Sequence, residues 1–379
     1  MTNPPRTRIL IADDSAVMRS LLRSVVAADA GLEVAGTAAD GAAALAAFES
    51  LRPDLILLDV TMPVMDGLAT LKALRAQGHK VPVIMCSSLT HRGAKVTLEA
   101  LAAGASDYVA KPVGQSGREE AIQALAQDLI PRIHALTSQC QTMHQTFFSG
   151  PASGNLGILF DPAQRTQTAS VAPTVVAIGV STGGPAALDV LLPALPAEFP
   201  LPVLIVQHMP ELFTGLFADR LNGICPLRVR QGVEGDRVRA GNIYIARGNW
   251  HMEVLAASRP GAPPTLHLSQ GPAENYCRPA VDVLFRSVAA VYGAGVLGVV
   301  LTGMGSDGTA GSRIIRARGG SVLAQDEATS AVWGMPGTVV HAGLAHRVLP
   351  LEGMAPEILR MAARNKLETR ELREPAALR

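Results

Sequence analysis

Aromatic residues are scarce in this 379-residue chain, at 4% of positions, whereas 48% of positions are apolar. With Ala, Gly and Val abundant, that balance argues against an all-β sandwich and suits parallel α/β layers, where helices lie close on a sheet. Excess charge is missing too. Lys plus Arg number 33 against 32 for Asp plus Glu, a formal charge of +1, so no broad field exists to hold a polyanion and nucleic acid is not an expected partner. Cysteine is confined to Cys86, Cys140, Cys225 and Cys277. They have neither paired metal-ligand spacing nor the density of a disulfide framework, and read as reduced thiols. No apolar run approaches the roughly 20 residues needed to span a bilayer, and the start Met1-Thr2-Asn3-Pro4-Pro5-Arg6 lacks the apolar core of a signal peptide. A soluble, cytoplasmic protein without membrane insertion is expected.

What is present is modular, since the length suggests two domains of ordinary size. From Arg8 to about Leu125, short apolar runs such as Ile9-Leu10-Ile11-Ala12, Leu55-Ile56-Leu57-Leu58 and Val83-Ile84-Met85-Cys86 alternate with helical patterns. A second series begins at Thr174-Val175-Val176-Ala177-Ile178-Gly179-Val180 and closes near Arg364. Such alternation builds doubly wound parallel sheets. The expected division is a flavodoxin-like domain at residues 6–126, a Ser/Thr/Gln/Gly/Pro-rich linker at 127–172, a second doubly wound α/β domain at 173–365 and a charged, frayed tail at 366–379. Two apolar islands in the linker, Phe147-Phe148 and Ile158-Leu159-Phe160, are candidates for docking on a domain surface.

Asp13 and Asp14 follow the first strand and Asp59 follows Leu55–Leu58, which puts three carboxylates at the sheet edge where ligands sit. Clustered carboxylates call for a hard cation, and oxygen ligands with open water positions suit magnesium. Ser87 and Lys111 follow later strands and bring a hydroxyl and an ammonium that can bind phosphoryl oxygens. Adjacent acids after strands are also common turn formers and helix caps; the register of Asp59 and Lys111 weighs against that simpler role. The combination Asp13-Asp14, Asp59-Val60-Thr61-Met62-Pro63-Val64-Met65-Asp66-Gly67, Ser87 and Lys111-Pro112 resembles the response-regulator receiver family. The resemblance implies Asp59 as phosphoacceptor, magnesium held by Asp14, Asp59 and the Thr61 carbonyl with Asp13 assisting through water, and Ser87 and Lys111 as phosphoryl sensors.

In Gly179-Val180-Ser181-Thr182-Gly183-Gly184-Pro185 a serine stands between a buried strand and a helix opened by Pro185, with the G-x-S-x-G spacing of a nucleophile elbow. A glycine-flanked serine can also cap a helix or cradle phosphate, but no lysine follows as a P-loop requires. His208, after Val203-Leu204-Ile205-Val206-Gln207, and Asp307, in Leu301-Thr302-Gly303-Met304-Gly305-Ser306-Asp307-Gly308, also lie just beyond strands. A hydroxyl, an imidazole and a carboxylate thus reach one sheet edge, as nucleophilic acyl transfer requires. Their chain order differs from that of α/β-hydrolases.

These segments, with Gln207-His208-Met209-Pro210 and Arg278-Pro279-Ala280-Val281-Asp282-Val283-Leu284-Phe285, are similar to the CheB-type protein-glutamate methylesterase domain from about Thr174 to Asn365. The resemblance implies a Ser181, His208 and Asp307 triad, Thr182 and Gly183 beside the nucleophile, a Met304 amide in the oxyanion hole, and Arg278 and Asp282 shaping the substrate groove. Ala280 stands where the family pattern reads serine, and Asn275-Tyr276-Cys277 has no physical reading from sequence. The implied activity is hydrolysis of glutamate γ-methyl esters on cytoplasmic helices of chemoreceptors, with deamidation of receptor glutamines, without a cofactor for the esterase step. A chemotaxis histidine kinase is the implied phosphodonor, the chain is expected to be a monomer, and the unphosphorylated receiver is expected to restrain the catalytic domain. The alternatives are a serine esterase or amidase with another target, and a DNA-binding response regulator; the strand-rich second half disfavours the latter.

Overall fold

The structure is a computed structural model that describes residues 6–88, 90–112, 117–137, 171–259 and 261–371. The chain divides into two compact units, Met1–Thr146 and Phe147–Arg379. Among the described residues no helix is long and apolar enough to cross a membrane.

The first unit alternates β1 (Thr7–Ala12), α1 (Ala16–Ala27), β2 (Leu32–Ala38), α2 (Gly41–Leu51), β3 (Leu55–Asp59), α3 (Gly67–Ala76), β4 (Val83–Ser87), α4 (His91–Ala102), β5 (Asp107–Ala110) and α5 (Arg118–Thr137). Its sheet is parallel, in the order β2-β1-β3-β4-β5. Every residue of β3 and β4 is buried, as an apolar run covered on both faces demands. Ser15, Asp40, Asp66 and Thr90 each accept a backbone N–H bond at the start of a helix. Such caps stabilise by about 1 kcal/mol apiece and set each helix directly behind a loop at the sheet edge. The last helix, α5, runs past residue 126 to Thr137.

The second unit contains β6 (Val175–Val180), α6 (Gly184–Leu191), β7 (Val203–Gln207), α7 (Glu211–Asn222), β8 (Arg228–Gln231), β9 (Asn242–Ile245), β10 (His251–Leu255), β11 (Thr265–Ser269), α8 (Val281–Tyr292), β12 (Val296–Val300), α9 (Thr309–Ala317), β13 (Ser321–Gln325), α10 (Met335–His341), β14 (Arg347–Leu349) and α11 (Leu351–Glu371). Seven strands form a parallel sheet in the order β14-β13-β12-β6-β7-β9-β8. The winding therefore reverses between β6 and β12, and a crevice opens at their carboxyl ends. The few aromatics are concentrated here: Tyr244, Phe199, Phe213, Phe217 and Phe285 are all fully buried.

Sequence reading expected both parallel sheets. The antiparallel pair β10–β11 was not anticipated. The backbone of α11 continues through Glu371, so the stretch from Lys366, expected to fray, begins as helix. The rest of that tail and the linker islands Phe147-Phe148 and Ile158-Leu159-Phe160 lie outside the described residues.

Candidate active site and phosphoacceptor site

Ser181 leaves the end of β6 with its backbone tied on both sides. Its N–H donates to the Thr302 carbonyl at 3.0 Å, and its own carbonyl accepts from Gly184 N–H at 2.8 Å and from Gln207 Nε2 at 3.0 Å. The elbow turns through Gly183 at φ 77°. The loop after β12 lies directly on the serine: a Cβ added to Gly303 would come 2.8 Å from the Ser181 Cβ, so glycine alone permits this contact. Val180 is in register with Gln207. The next residues, Ser181 and His208, therefore stand side by side on neighbouring strands, about 4.8 Å apart at the backbone.

His208 Nε2 lies 2.8 Å from Asp307 Oδ2, and its Nδ1 lies 3.5 Å from Cys277 Sγ. Both ring nitrogens are thus engaged, and among the described residues the Ser181 hydroxyl makes no hydrogen bond to either. Burial opposes the imidazolium, but the Asp307 carboxylate and Cys277 outweigh it and push the His208 pKa up to about 9.

Asp307 is buried at the amino end of α8. Besides His208 it accepts from Val281 N–H at 2.6 Å, Asp282 N–H at 2.9 Å, Gly308 N–H at 3.0 Å and Asn275 Nδ2 at 3.0 Å. Burial pulls its pKa upward, yet His208 and the helix N–H groups hold it below the usual carboxylate value. The same contacts account for Ala280. It is the residue before α8 and offers no side-chain cap, and Asp307 supplies that cap from a distant segment.

Thr182 is buried, and its carbonyl accepts from Thr302 Oγ1 at 2.9 Å. The Gly183 and Met304 N–H groups donate no backbone hydrogen bond among the described residues, while the Met304 side chain is exposed. Arg278 binds Asn249 Oδ1 at 2.7 Å and the Gly271 carbonyl at 2.9 Å. Asp282, expected in a groove, is instead buried behind Asp307; it accepts from Gly311 N–H at 2.6 Å and Asn275 Nδ2 at 3.0 Å. Burial raises its pKa. The side-chain contacts that sequence reasoning missed are Asn275, which bridges the two carboxylates, and Cys277, which faces the imidazole. An asparagine before a bulky residue was the only trace of the turn that delivers them.

In the first unit, Asp13, Asp14 and Asp59 offer oxygens that lie within 4.8 Å of one another. Asp13 and Asp59 are buried, and the Lys111 ammonium lies 2.8 Å from each. Burial pushes the Asp59 pKa up, an effect that Lys111 and the Thr61 N–H only partly offset. Burial disfavours the Lys111 charge, but the two carboxylates win and raise its pKa. Ser87 is buried, with its hydroxyl 3.2 Å from the Ser88 carbonyl.

Comparison with known proteins matches residues 176–358 to the CheB methylesterase family and residues 9–123 to the response regulator receiver domain. A protein-glutamate methylesterase/protein-glutamine glutaminase of Nocardioides sp. is 49% identical over 96% of this chain and 97% of its own. One from Trichodesmium erythraeum, with the same description, is 46% identical over 94% and 99%. The crystal structure of the Thermotoga maritima CheB methylesterase catalytic domain is 38% identical, with a TM-score of 0.49, and covers 50% of this chain and 100% of that one.

Proposed function

The chain belongs to the CheB methylesterase family, with a response-regulator receiver ahead of the catalytic domain, and from that premise we propose that it hydrolyses glutamate γ-methyl esters on cytoplasmic helices of chemoreceptors, releasing methanol, and deamidates receptor glutamines. The observation that carries the catalytic part is the 2.8 Å contact of His208 with Asp307, set beside Ser181 at the ends of three adjacent strands, β12, β6 and β7.

Neutral His208 is the general base and Asp307 orients it. Because Nε2 is committed to Asp307, Nδ1 is the nitrogen that takes the Ser181 proton. Rotation of the serine side chain and withdrawal of the Cys277 thiol bring the two together. The serine oxygen attacks the γ-carbonyl carbon, and the Gly183 and Met304 N–H groups, beside Thr182, receive the developing oxyanion. Collapse expels methoxide, which takes the proton from His208 and departs as methanol. Water, deprotonated by His208, then attacks the acyl-enzyme and restores Ser181 and a glutamate carboxyl. A glutamine side chain follows the same steps with ammonia as the slower leaving group. Arg278 shapes the groove, and Asp282 positions Asp307 through Asn275.

In the receiver, Asp59 accepts the phosphoryl group from a histidine kinase. Asp14, Asp59 and the Thr61 carbonyl would hold Mg2+, with Asp13 acting through water, since a compact all-oxygen set beside one lysine fits a hard cation. Bound there, the ion neutralises phosphoryl charge. Lys111 and Ser87 then donate to the phosphoryl oxygens, and the change relieves restraint of the catalytic domain.

Incubation with receptor membranes carrying labelled methyl esters tests the reading. Volatile methanol is expected from the unaltered chain, with a loss of about 10⁴-fold or more in Ser181→Ala. Turnover of small unrelated esters with no release from receptors would point to another target.

A further inference from the structure

Residues Glu274 to Cys277 close a two-residue turn. The Glu274 N–H donates to the Cys277 carbonyl at 3.1 Å, and the Cys277 N–H to the Glu274 carbonyl at 2.9 Å. The central residues Asn275 and Tyr276 both have positive φ, 52° and 62°. This left-handed pair is the one that Asn-Gly fits best. Asparagine suits the first place, but a bulky tyrosine in the second opposes its own backbone preference.

The turn holds because the residues around Tyr276 are anchored. Glu274 pairs with Arg286 through two contacts of 2.6 Å, Asn275 bridges Asp282 and Asp307, and Cys277 faces His208. The Tyr276 side chain, by contrast, is fully exposed. It adds nothing to the core and occupies a position where glycine would relax the backbone. The other exposed apolar side chain at the site, Met304, comes from the loop that packs on Ser181. Two apolar groups therefore stand in solvent beside the triad, one on each of two loops.

We propose that Tyr276 is a specificity-determining, substrate-contact residue: its ring packs on the apolar face of the helical polypeptide that carries the ester, with Met304 as a second contact. The strained turn fixes the ring relative to His208 and Asp307, so a polypeptide docked on Tyr276 presents its ester in register with Ser181. A free amino-acid ester is too small to use both contacts. The proposal rests on the esterase reading of the site and adds to it the way the substrate is chosen.

The test compares the full chain with Tyr276→Gly and Tyr276→Phe on two substrates, a methylated receptor fragment and N-acetylglutamate γ-methyl ester. Glycine fits the backbone at φ 62°, so the variant is expected to unfold at the same temperature as the parent or higher. Tyr276→Gly is expected to lower kcat/KM on the receptor fragment about 10-fold more than on the small ester, mainly through KM, and Tyr276→Phe to restore it. In the Ser181→Ala background, fragment binding should weaken by a similar factor on Tyr276→Gly. Equal losses on both substrates, or unchanged fragment binding, overturn the proposal. Failure of the unaltered chain to cleave either ester would instead strike the esterase reading, and the binding comparison would still judge Tyr276.

Discussion

Asp59 ends the central strand β3 and Asp307 lies in the loop that follows β12, both buried on the carboxyl side of a parallel sheet, yet their acidities move in opposite directions. Asp59 faces Asp13 and depends on one shared lysine, and burial wins, so its pKa rises. Asp307 meets the same penalty, but two N–H groups of α8, the Gly308 N–H, an asparagine and an imidazole offset it, and its pKa falls. The same residue type is thus prepared for different work. Under the proposed function, the carboxylate that reacts with phosphorus is left short of donors and open to a cation. The one proposed to orient a base is saturated with donors and kept anionic.

The sharpest way to break the comparison is Asp307→Asn. An amide leaves the imidazole without its anionic partner and in the wrong tautomer, so kcat on methylated receptor should fall by about 10⁴-fold. A loss of only a few-fold would mean that Asp307 serves α8 more than His208.

A smaller effect comes from pH. His208 must be neutral to act as base, and its pKa is pushed up to about 9 by Asp307 and Cys277 against the opposing effect of burial. The kcat/KM should therefore rise with pH, gaining about 50-fold between neutrality and that value and about 100-fold in all once it levels off above it. The stability that this raised pKa confers is fully present below the unfolded histidine value of about 6.5 and is lost as pH rises through about 9. Thermal unfolding across that window should show the decline. A rate profile flat from pH 7 to 9 would place the working pKa far lower.

The smallest expected change is in the receiver. Asp59→Asn should leave the unstimulated rate alone and abolish the response to a small phosphodonor, a stimulation on the order of 10-fold. Initial rates of a chain beginning near Ser170 sharpen the point. If they equal those of the unphosphorylated full chain, the receiver does not restrain the esterase.

Much of this arrangement was legible in the sequence because a doubly wound sheet has a simple rule: residues just past apolar strands meet at one edge. That rule placed Ser181, His208 and Asp307, and likewise Asp13, Asp59 and Lys111. Side-chain direction is beyond it: Asp282, which the family resemblance puts in the substrate groove, lies behind Asp307. Asn275 and Cys277 have no physical reading in the sequence because they reach the triad through a left-handed turn without glycine. The β10–β11 pair is harder to read because its strands mix polar residues such as His251, Glu253 and His267 with apolar ones, unlike the continuous apolar runs of the buried parallel strands.

Asp307 is bonded at once to the imidazole and to the first two amides of α8. Those amide protons therefore form a built-in sensor. In a nitrogen-15 spectrum, the resonances of Val281 and Asp282 should track the charge state of His208 as it titrates, reporting on the reaction centre from a helix that takes no part in the chemistry.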